Sequence, residues 1–400
     1  MSPADRRRCR HLVYGVVRHL GLLDACVQPH LVRPPRPVLR AALLTGAFEI
    51  LENPPQAPAI IHHAVDRARE VASPAEARVV NAVLRKVVGT LAAATAVEPA
   101  PGDVAALARR HSHPRWLVER WLGALGEEAT RQLLLWNQSP APVHARVAAG
   151  DEVHAGQGEA PASFRSTRWP AYFLLDRPDW SEVERLLAAG RIYLQDPATS
   201  VAPDLLAVQP GEVVLDVCAA PGGKTLQLAE AAGPGGRVVA VDLPGLRLER
   251  LRENLRRYRA VRDRVKVVAC DGRELSPAIL AAEKQPRDYD AVLLDAPCSN
   301  TGVLRHRVDA KWRLGAADLV ELPKLQLALL TRAATLVRPG GRLVYSTCSL
   351  EPEENTGVVD AFLASREGET FTLAQARASR PWADGCDGAG AFLLRRRTTS

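Results

Sequence analysis

The sequence predicts an α/β protein: a doubly wound, mostly parallel sheet in the second half, preceded by an all-α domain and a small α+β connector. Three observations carry this. From about residue 205, short apolar runs alternate with helical patterns. Residues 1–95 show helical periodicity alone. The stretch between them is broken up by Pro and Gly. A chain of 400 residues has room for two or three domains, and the texture divides it into 1–95, 96–200 and 201–400.

In the first part, Leu39, Leu43, Ala47, Ile50 and Leu51 recur at helical spacing, as do Val80, Val83, Leu84, Val87 and Val88. Pro34, Pro35 and Pro37 separate a first pair of helices from the next, and Pro54, Pro55 and Pro58 mark a further turn. Pro99, Pro101, Gly102 and Pro114 define a linker with a short helix inside, and one helix is expected from Trp116 to about Trp136. Residues 137–200 read as the connector, with Trp169, Trp180 and Tyr193 as packing residues. Five strands follow: Val213–Val217, Arg237–Asp242, Val265–Asp271, Tyr289–Asp295 and Arg342–Ser346. In such sheets ligands bind beyond the C-terminal strand ends, where the candidate motifs fall.

Composition excludes several classes. Hydrophobic residues at 47% and charged residues at 24% exclude a mainly disordered chain. No apolar run approaches the ~18 residues of a membrane helix, so no span is expected. The basic start MSPADRRRCR lacks the apolar core of a secretory signal. Seven Cys (9, 26, 218, 270, 298, 348 and 386) include no CxxC pair. A disulfide framework, a structural zinc and any other metal site are therefore not expected, and a cytoplasmic location is.

The first strand runs into Asp216-Val217-Cys218-Ala219-Ala220-Pro221-Gly222-Gly223-Lys224-Thr225. A phosphate-binding P-loop would need Gly where Cys218 stands, and the GxGxxG fingerprint is absent. The turn still lets backbone approach a ligand closely. Asp242, closing the second strand, can accept from a ribose diol, and Asp271, closing the third, can face an adenine. Together they describe a nucleoside cofactor without a triphosphate.

The fourth strand ends Asp295-Ala296-Pro297-Cys298-Ser299 and the fifth Ser346-Thr347-Cys348-Ser349. Neighbouring strands would bring both thiols to one cleft. Two thiols suit substitution at cytosine C5, a poor nucleophile. A thiolate adding at C6 makes C5 carbanion-like, so that it can take a methyl group; the C5 proton then leaves and the thiol is eliminated, with a second thiol able to assist. Asp295 can bond the N3/N4 edge. A free thiol has a pKa of about 8.5, so the nucleophile needs activation, to which Lys224 is a candidate contributor. By chemistry alone the two cysteines are interchangeable candidates.

DVCAAPGGKT, DAPCSNTGVLRHRVDAKWR and VYSTCSLEPEEN resemble, in order, the signature blocks of the Sun/Fmu family of RNA (cytosine-5) methyltransferases. HLVYGVVRHLGLLD, LRAALLTGAFEIL and RVVNAVLRKV resemble the NusB-like helical domain of that family's small-subunit rRNA enzymes. SHPRWLVERW, NQSPAP and GRIYLQDPATS continue the match, which is weakest over 148–188. The resemblance implies a Rossmann-like methyltransferase domain using S-adenosyl-L-methionine. It implies cofactor contacts from Cys218, Ala219, Ala220, Pro221, Gly222, Gly223 and Lys224, with Asp242 on the ribose, Asp271 near the adenine and Asp295 near the reaction centre. Arg247, opening the next helix, joins the cofactor candidates. Cys348 would be the nucleophile and Cys298 the thiol that helps release product; Cys298 as nucleophile, as in DNA cytosine-5 methyltransferases, is the alternative. Val308 replaces the family's usual Pro, Ala148 replaces an Asn, and DGCDGAGAFLLRRR carries extra residues.

The implied partner is RNA, foremost 16S rRNA, acted on by a monomer without a membrane. The net charge of +7 agrees in sign, and 46 of the 52 basic residues are Arg, which grips phosphate through two donors. Residues 1–150 hold 19 Lys+Arg against 12 Asp+Glu, whereas 151–400 balance. Arg6, Arg7, Arg8 and Arg10 form the densest group, followed by Arg33, Arg36 and Arg40. Other readings are the same chemistry on tRNA or 23S rRNA, a methyltransferase for another base or for protein, and a non-catalytic RNA-binding or assembly factor.

Overall fold

A computed structural model describes residues 2–149 and 163–398. Residues 150–162, inside the expected connector, lie outside the described residues. The chain forms two compact units, 1–140 with 304–313 and 141–303 with 314–400. The expected cuts at 95/96 and 200/201 are therefore displaced. The helices of 96–140 join the first unit, the connector joins the second, and ten residues from the catalytic half fold with the first.

The first unit is helical throughout its described residues: α1 (Pro3–Arg18), α2 (Leu20–Val27), α3 (Pro37–Glu52), α4 (Ala57–Val71), α5 (Pro74–Ala96), α6 (Val104–Arg110), α7 (Arg115–Leu125) and α8 (Glu127–Gln138). Ser2 and Asp5 cap α1 reciprocally, and Ser73 caps α5. α3 starts at Pro37, where the missing N–H costs no bond. Leu22, Leu43, Ile50, Val80, Leu84 and Val87 meet in the core. α5 has the length and apolar content of a membrane span, contrary to expectation. Its buried stripe lies in this core, however, and exposed Arg85 and Lys86 interrupt its other side. The single helix expected over 116–136 is two, because Gly126 at φ +79° ends α7 and Glu127 and Glu128 open α8. In 304–313, the Trp312 ring N–H donates to Val17 O (2.8 Å) and Lys311 Nζ to Arg18 O (2.9 Å).

The second unit begins with an antiparallel sheet of order β2-β3-β1-β4: β1 (His144–Val147), β2 (Phe164–Ser166), β3 (Tyr172–Leu175) and β4 (Ile192–Leu194). Helix α9 (Trp180–Ala188) packs Val183 and Leu186 against it, and α10 (Val201–Leu206) leads on. The main sheet follows: β5 (Val213–Val217), β6 (Arg237–Asp242), β7 (Val265–Ala269), β8 (Tyr289–Asp295), β9 (Val337–Thr347), β10 (Phe371–Ser379) and β11 (Ala389–Arg396), in the order β10-β11-β9-β8-β5-β6-β7. β9, β8, β5, β6 and β7 are parallel. β11, built from the altered C-terminal block, runs antiparallel to β9, and β10 antiparallel to β11. All five expected strands exist; β7 stops two residues short of Asp271 and β9 starts at Val337. Helices α11 (Gly223–Ala232) and α12 (Leu246–Arg257) follow β5 and β6. Residues 290–295 of β8 read DAVLLD with a buried apolar interior, because both sheet faces carry a core. From β5 the chain winds to β6 and β7 on one side and returns to β8 and β9 on the other, so β5 and β8 meet at the point where a doubly wound sheet opens a ligand crevice.

Candidate active site

The glycine loop leaves β5 at that point. Cys218 (φ +63°) and Gly222 (φ +106°) occupy the left-handed region. A Cβ on Gly222 would lie 2.6 Å from Leu251, and one on Gly223 would lie 2.8 Å from Gln195 Oε1 and 3.0 Å from the Tyr193 ring. The left-handed φ at Gly222 favours glycine, and a side chain at Gly223 would displace Gln195 and Tyr193. Asp242 accepts from the N–H groups of Ala220 and Leu243, both at 2.8 Å, and Arg247 donates to Ala220 O (2.8 Å). Asn254 donates to Pro221 O at 2.8 Å.

A cavity opens beside this loop, walled by Tyr193, Gln195, Asp216, Cys218, Lys224 and Asp295 among others. Of the cofactor candidates, Cys218, Ala219, Ala220, Pro221, Gly223, Lys224 and Asp295 line it. Gly222, Asp242 and Arg247 shape the loop from behind. Asp271 is not in the cavity wall; its carboxylate is tied to Arg273 at 2.5 Å, which holds its pKa below the ordinary carboxylate value. Tyr193, read from sequence as packing, is part of the wall. So is Gln195, which is steadied by Tyr172: its Nε2 donates to the phenol oxygen at 2.6 Å, and that oxygen pairs with Ser200 Oγ at 2.6 Å. Both residues lie in the GRIYLQDPATS block, whose resemblance was the available signal.

At the strand ends, β8 and β9 pair with Asp295 opposite Ser346. Lys224 forms an ion pair with Asp295 Oδ1, which also accepts from Ser346 Oγ at 2.9 Å. Burial lowers the Lys224 pKa, but the charge and hydrogen bond of Asp295 outweigh it and the net shift is upward. Asp216 is fully buried, and burial pushes its pKa up to about 7 although Thr225 Oγ1 donates to it at 2.6 Å. Burial also pushes the Cys218 thiol up. The Cys298 and Cys348 sulfurs are 3.2 Å apart, and neither is in a disulfide. The hydrogen bond with Cys348, then burial, raises Cys298 well above an ordinary thiol. Cys348 Sγ also lies 3.5 Å from Asn300 Oδ1.

The charge is more finely distributed than the sequence totals suggest. Arg8, Arg36 and Arg40 are paired with Glu49, Glu76 and Asp24. Arg6, Arg7 and Arg10 are exposed, with no ion pair among the described residues, on the same helix as half-exposed Tyr14. In the second unit, residues 246–266 carry nine basic against three acidic side chains, and Arg250, Arg256, Arg257 and Arg259 are exposed there. The neutral total of 151–400 thus hides a strongly basic stretch.

Fold and site together define a Rossmann-like methyltransferase. The chain belongs to the 16S rRNA methyltransferase RsmB/F family, whose model matches residues 203–383, and the NusB family model matches residues 1–89; it is an RNA methyltransferase. It is 33% identical to the ribosomal RNA small subunit methyltransferase B of Sodalis glossinidius (strain morsitans) and to that of Vibrio cholerae serotype O1, covering 91% of this chain and 82% of each relative. Among solved structures, the crystal structure of PH0851 matches with a TM-score of 0.80 at 28% identity, over 99% of this chain and 91% of that one. A methyltransferase homolog protein from Pyrococcus horikoshii matches with a TM-score of 0.62 at 25% identity, over 74% of this chain and all of that one.

Proposed function

We propose that the protein methylates C5 of a cytosine in 16S rRNA, using S-adenosyl-L-methionine and a covalent bond between Cys348 and C6. The observation that carries this is the pair of thiols 3.2 Å apart, beside the Lys224–Asp295 ion pair and next to the glycine loop. The 16S assignment rests on the names of the relatives.

The cavity suits the cofactor. Gly223 keeps its wall open where a Cβ would intrude, and Gln195 Oε1 and Asp216 Oδ1 are buried acceptors without a partner among the described residues. Such acceptors match the hydroxyl and amino donors of a nucleoside bearing an amino acid. Residues 218–224, with Tyr193 and Gln195, would hold it, and Asp242 and Arg247 would fix the loop's shape. Bound there, it supplies an electrophilic methyl group on a sulfonium. A place for Asp271 at the adenine has no support from the cavity wall.

The chain's own residues account for the rest. Cys348 adds to C6, and the C5=C6 electron pair becomes available at C5. Asp295, held by Lys224 and Ser346, faces the N3/N4 edge and stabilises the charge of the adduct. After C5 is methylated a base in the cleft, water or the Cys298 sulfur, takes its proton, the C5–H electron pair re-forms the C5=C6 bond, and the S–C6 pair returns to Cys348 as the thiolate. Cys298, 3.2 Å from Cys348, is placed to assist release, and the family resemblance supports Cys348 as the attacking thiolate. The target base must be unstacked to reach the cleft. Arg6, Arg7 and Arg10, with the exposed arginines of 246–266, supply phosphate contacts.

The test is trapping on RNA. Cys298→Ala should accumulate a denaturation-resistant enzyme–RNA adduct, and Cys348→Ala should form none and lose at least about 10³ of methyl transfer. An adduct with Cys348→Ala and none with Cys298→Ala reverses the roles.

A further inference from the structure

We propose that Glu354, in the last sequence block but outside the cysteine-bearing loops, is the positioning residue that sets the separation of Cys298 and Cys348. The residue immediately after each cysteine is a serine, and one carboxylate holds both. Glu354 Oε1 accepts from Ser299 N–H (2.8 Å), and Oε2 accepts from the Ser299 hydroxyl and from Ser349 Oγ (2.5 Å). The two hydroxyls are themselves 3.0 Å apart. Glu354 is wholly inaccessible to solvent. A buried carboxylate survives only when its lone pairs are occupied, and here the donors come from both loops.

Two neighbours complete the arrangement. Gln326 Nε2 donates to Glu354 Oε1 and to Pro297 O, both at 2.9 Å, so Cys298 is fixed from both sides. Asn355 Oδ1 accepts from Thr347 Oγ1 at 2.8 Å and its Nδ2 donates to Ser349 O at 2.9 Å, so Cys348 is fixed likewise. The Tyr345 hydroxyl donates to Glu354 O at 2.6 Å and anchors the residue to β9. Each cysteine thus has its flanking residues tied to the Glu354–Asn355 corner, and Glu354 reaches the residue after each cysteine with one carboxylate, while Thr301 Oγ1, within the first loop, accepts from Leu350 N–H at 2.9 Å and adds a second tie. Charge-assisted hydrogen bonds are short and directional, so they hold distance better than apolar packing does.

The catalytic consequence rests on the two-thiol reading above; the geometry does not. The experiment therefore reads the two separately, on the full-length protein. Diamide takes two electrons and two protons from a thiol pair, making one S–S bond and becoming the hydrazine. The Cys298–Cys348 link is followed by mass spectrometry of peptides. Glu354→Ala should slow this cross-link at least about tenfold at a temperature where the variant is folded. It should lower kcat for methyl transfer about 100-fold with KM for RNA within about twofold, and Glu354→Gln should restore most of both. If Glu354→Ala does not fold, the Ser299→Ala/Ser349→Ala pair carries the test, with slower cross-linking expected. An unchanged cross-linking rate in the folded variant overturns the proposal. Slower cross-linking in the variant of a protein whose wild type transfers no methyl group to RNA leaves the positioning role standing and refutes the chemical reading instead.

Discussion

The loop after β5 is held from outside, by Asp242, Arg247 and Asn254 gripping the backbone of Ala220 and Pro221, with glycines where side chains would fill the space. The loops after β8 and β9 are held from inside, by a buried polar network centred on Glu354. Both lie at the C-terminal edge of one sheet, on the neighbouring strands β5, β8 and β9. A surface that must receive a ligand needs an empty concavity and backbone at its rim. A pair of reacting atoms needs a fixed distance, which converging hydrogen bonds supply. Lys224 joins the two regions: it opens α11 behind the glycine loop, and it pairs with Asp295 beside the thiols.

That junction offers the sharpest way to break the comparison. Lys224→Ala leaves Asp295 with an uncompensated charge beside the reacting base, and methyl transfer should fall about 100-fold while cofactor affinity changes less than tenfold; a loss confined to cofactor affinity would assign Lys224 to the glycine loop alone. Gly222→Ala should act oppositely. It places a Cβ at φ +106° against Leu251 and should weaken cofactor binding by calorimetry about tenfold, with the cross-linking rate of the thiols unchanged. Outside both regions, replacing Arg256, Arg257 and Arg259 together by Ala should lower RNA affinity several-fold and flatten its salt dependence, with cofactor binding intact; an unchanged salt slope would remove this face from the RNA path.

A separate effect concerns stability. The folded pKa of Asp216, about 7, exceeds its ordinary value of 3.8. The unfolded chain therefore releases this proton first as pH rises, and the stability present below pH 4 is lost progressively up to about 7. The slope is at most about 1.4 kcal/mol per pH unit. Urea unfolding of Asp216→Asn should show a flatter dependence between pH 4 and 7 than the wild type, and equal slopes would place the titration elsewhere.

Legibility in the sequence followed the range of the interactions. The ends of β6 and β8 were legible because each is an apolar run closed by an aspartate, and the end of β5 because the glycine-rich turn follows it. The chemistry-bearing residues were legible because they follow those ends directly. The break at Gly126 was missed because the apolar spacing on its two sides continues without a change of pattern. Asp271 was placed at a ligand by its position after a strand, but Arg273, two residues on, takes up its carboxylate. Glu354 lay in a recognised block without a role, since a glutamate between Glu353 and Asn355 reads as a solvated surface residue until its burial is known.

By itself the sequence determined the class of fold, the order of the strands along the chain, the glycine loop and the two thiols, because each is written in local periodicity and in residue types that few other roles require. The tertiary structure alone decided which strands are neighbours, that 304–313 folds with the helical unit, that Tyr193 and Gln195 wall the cavity, and that Glu354 bonds to the residues following both cysteines. The last of these depends on Ser299 and Glu354, 55 positions apart, being brought within hydrogen-bond reach, and burial then turns a side chain that water would have solvated into a fixed point of the site.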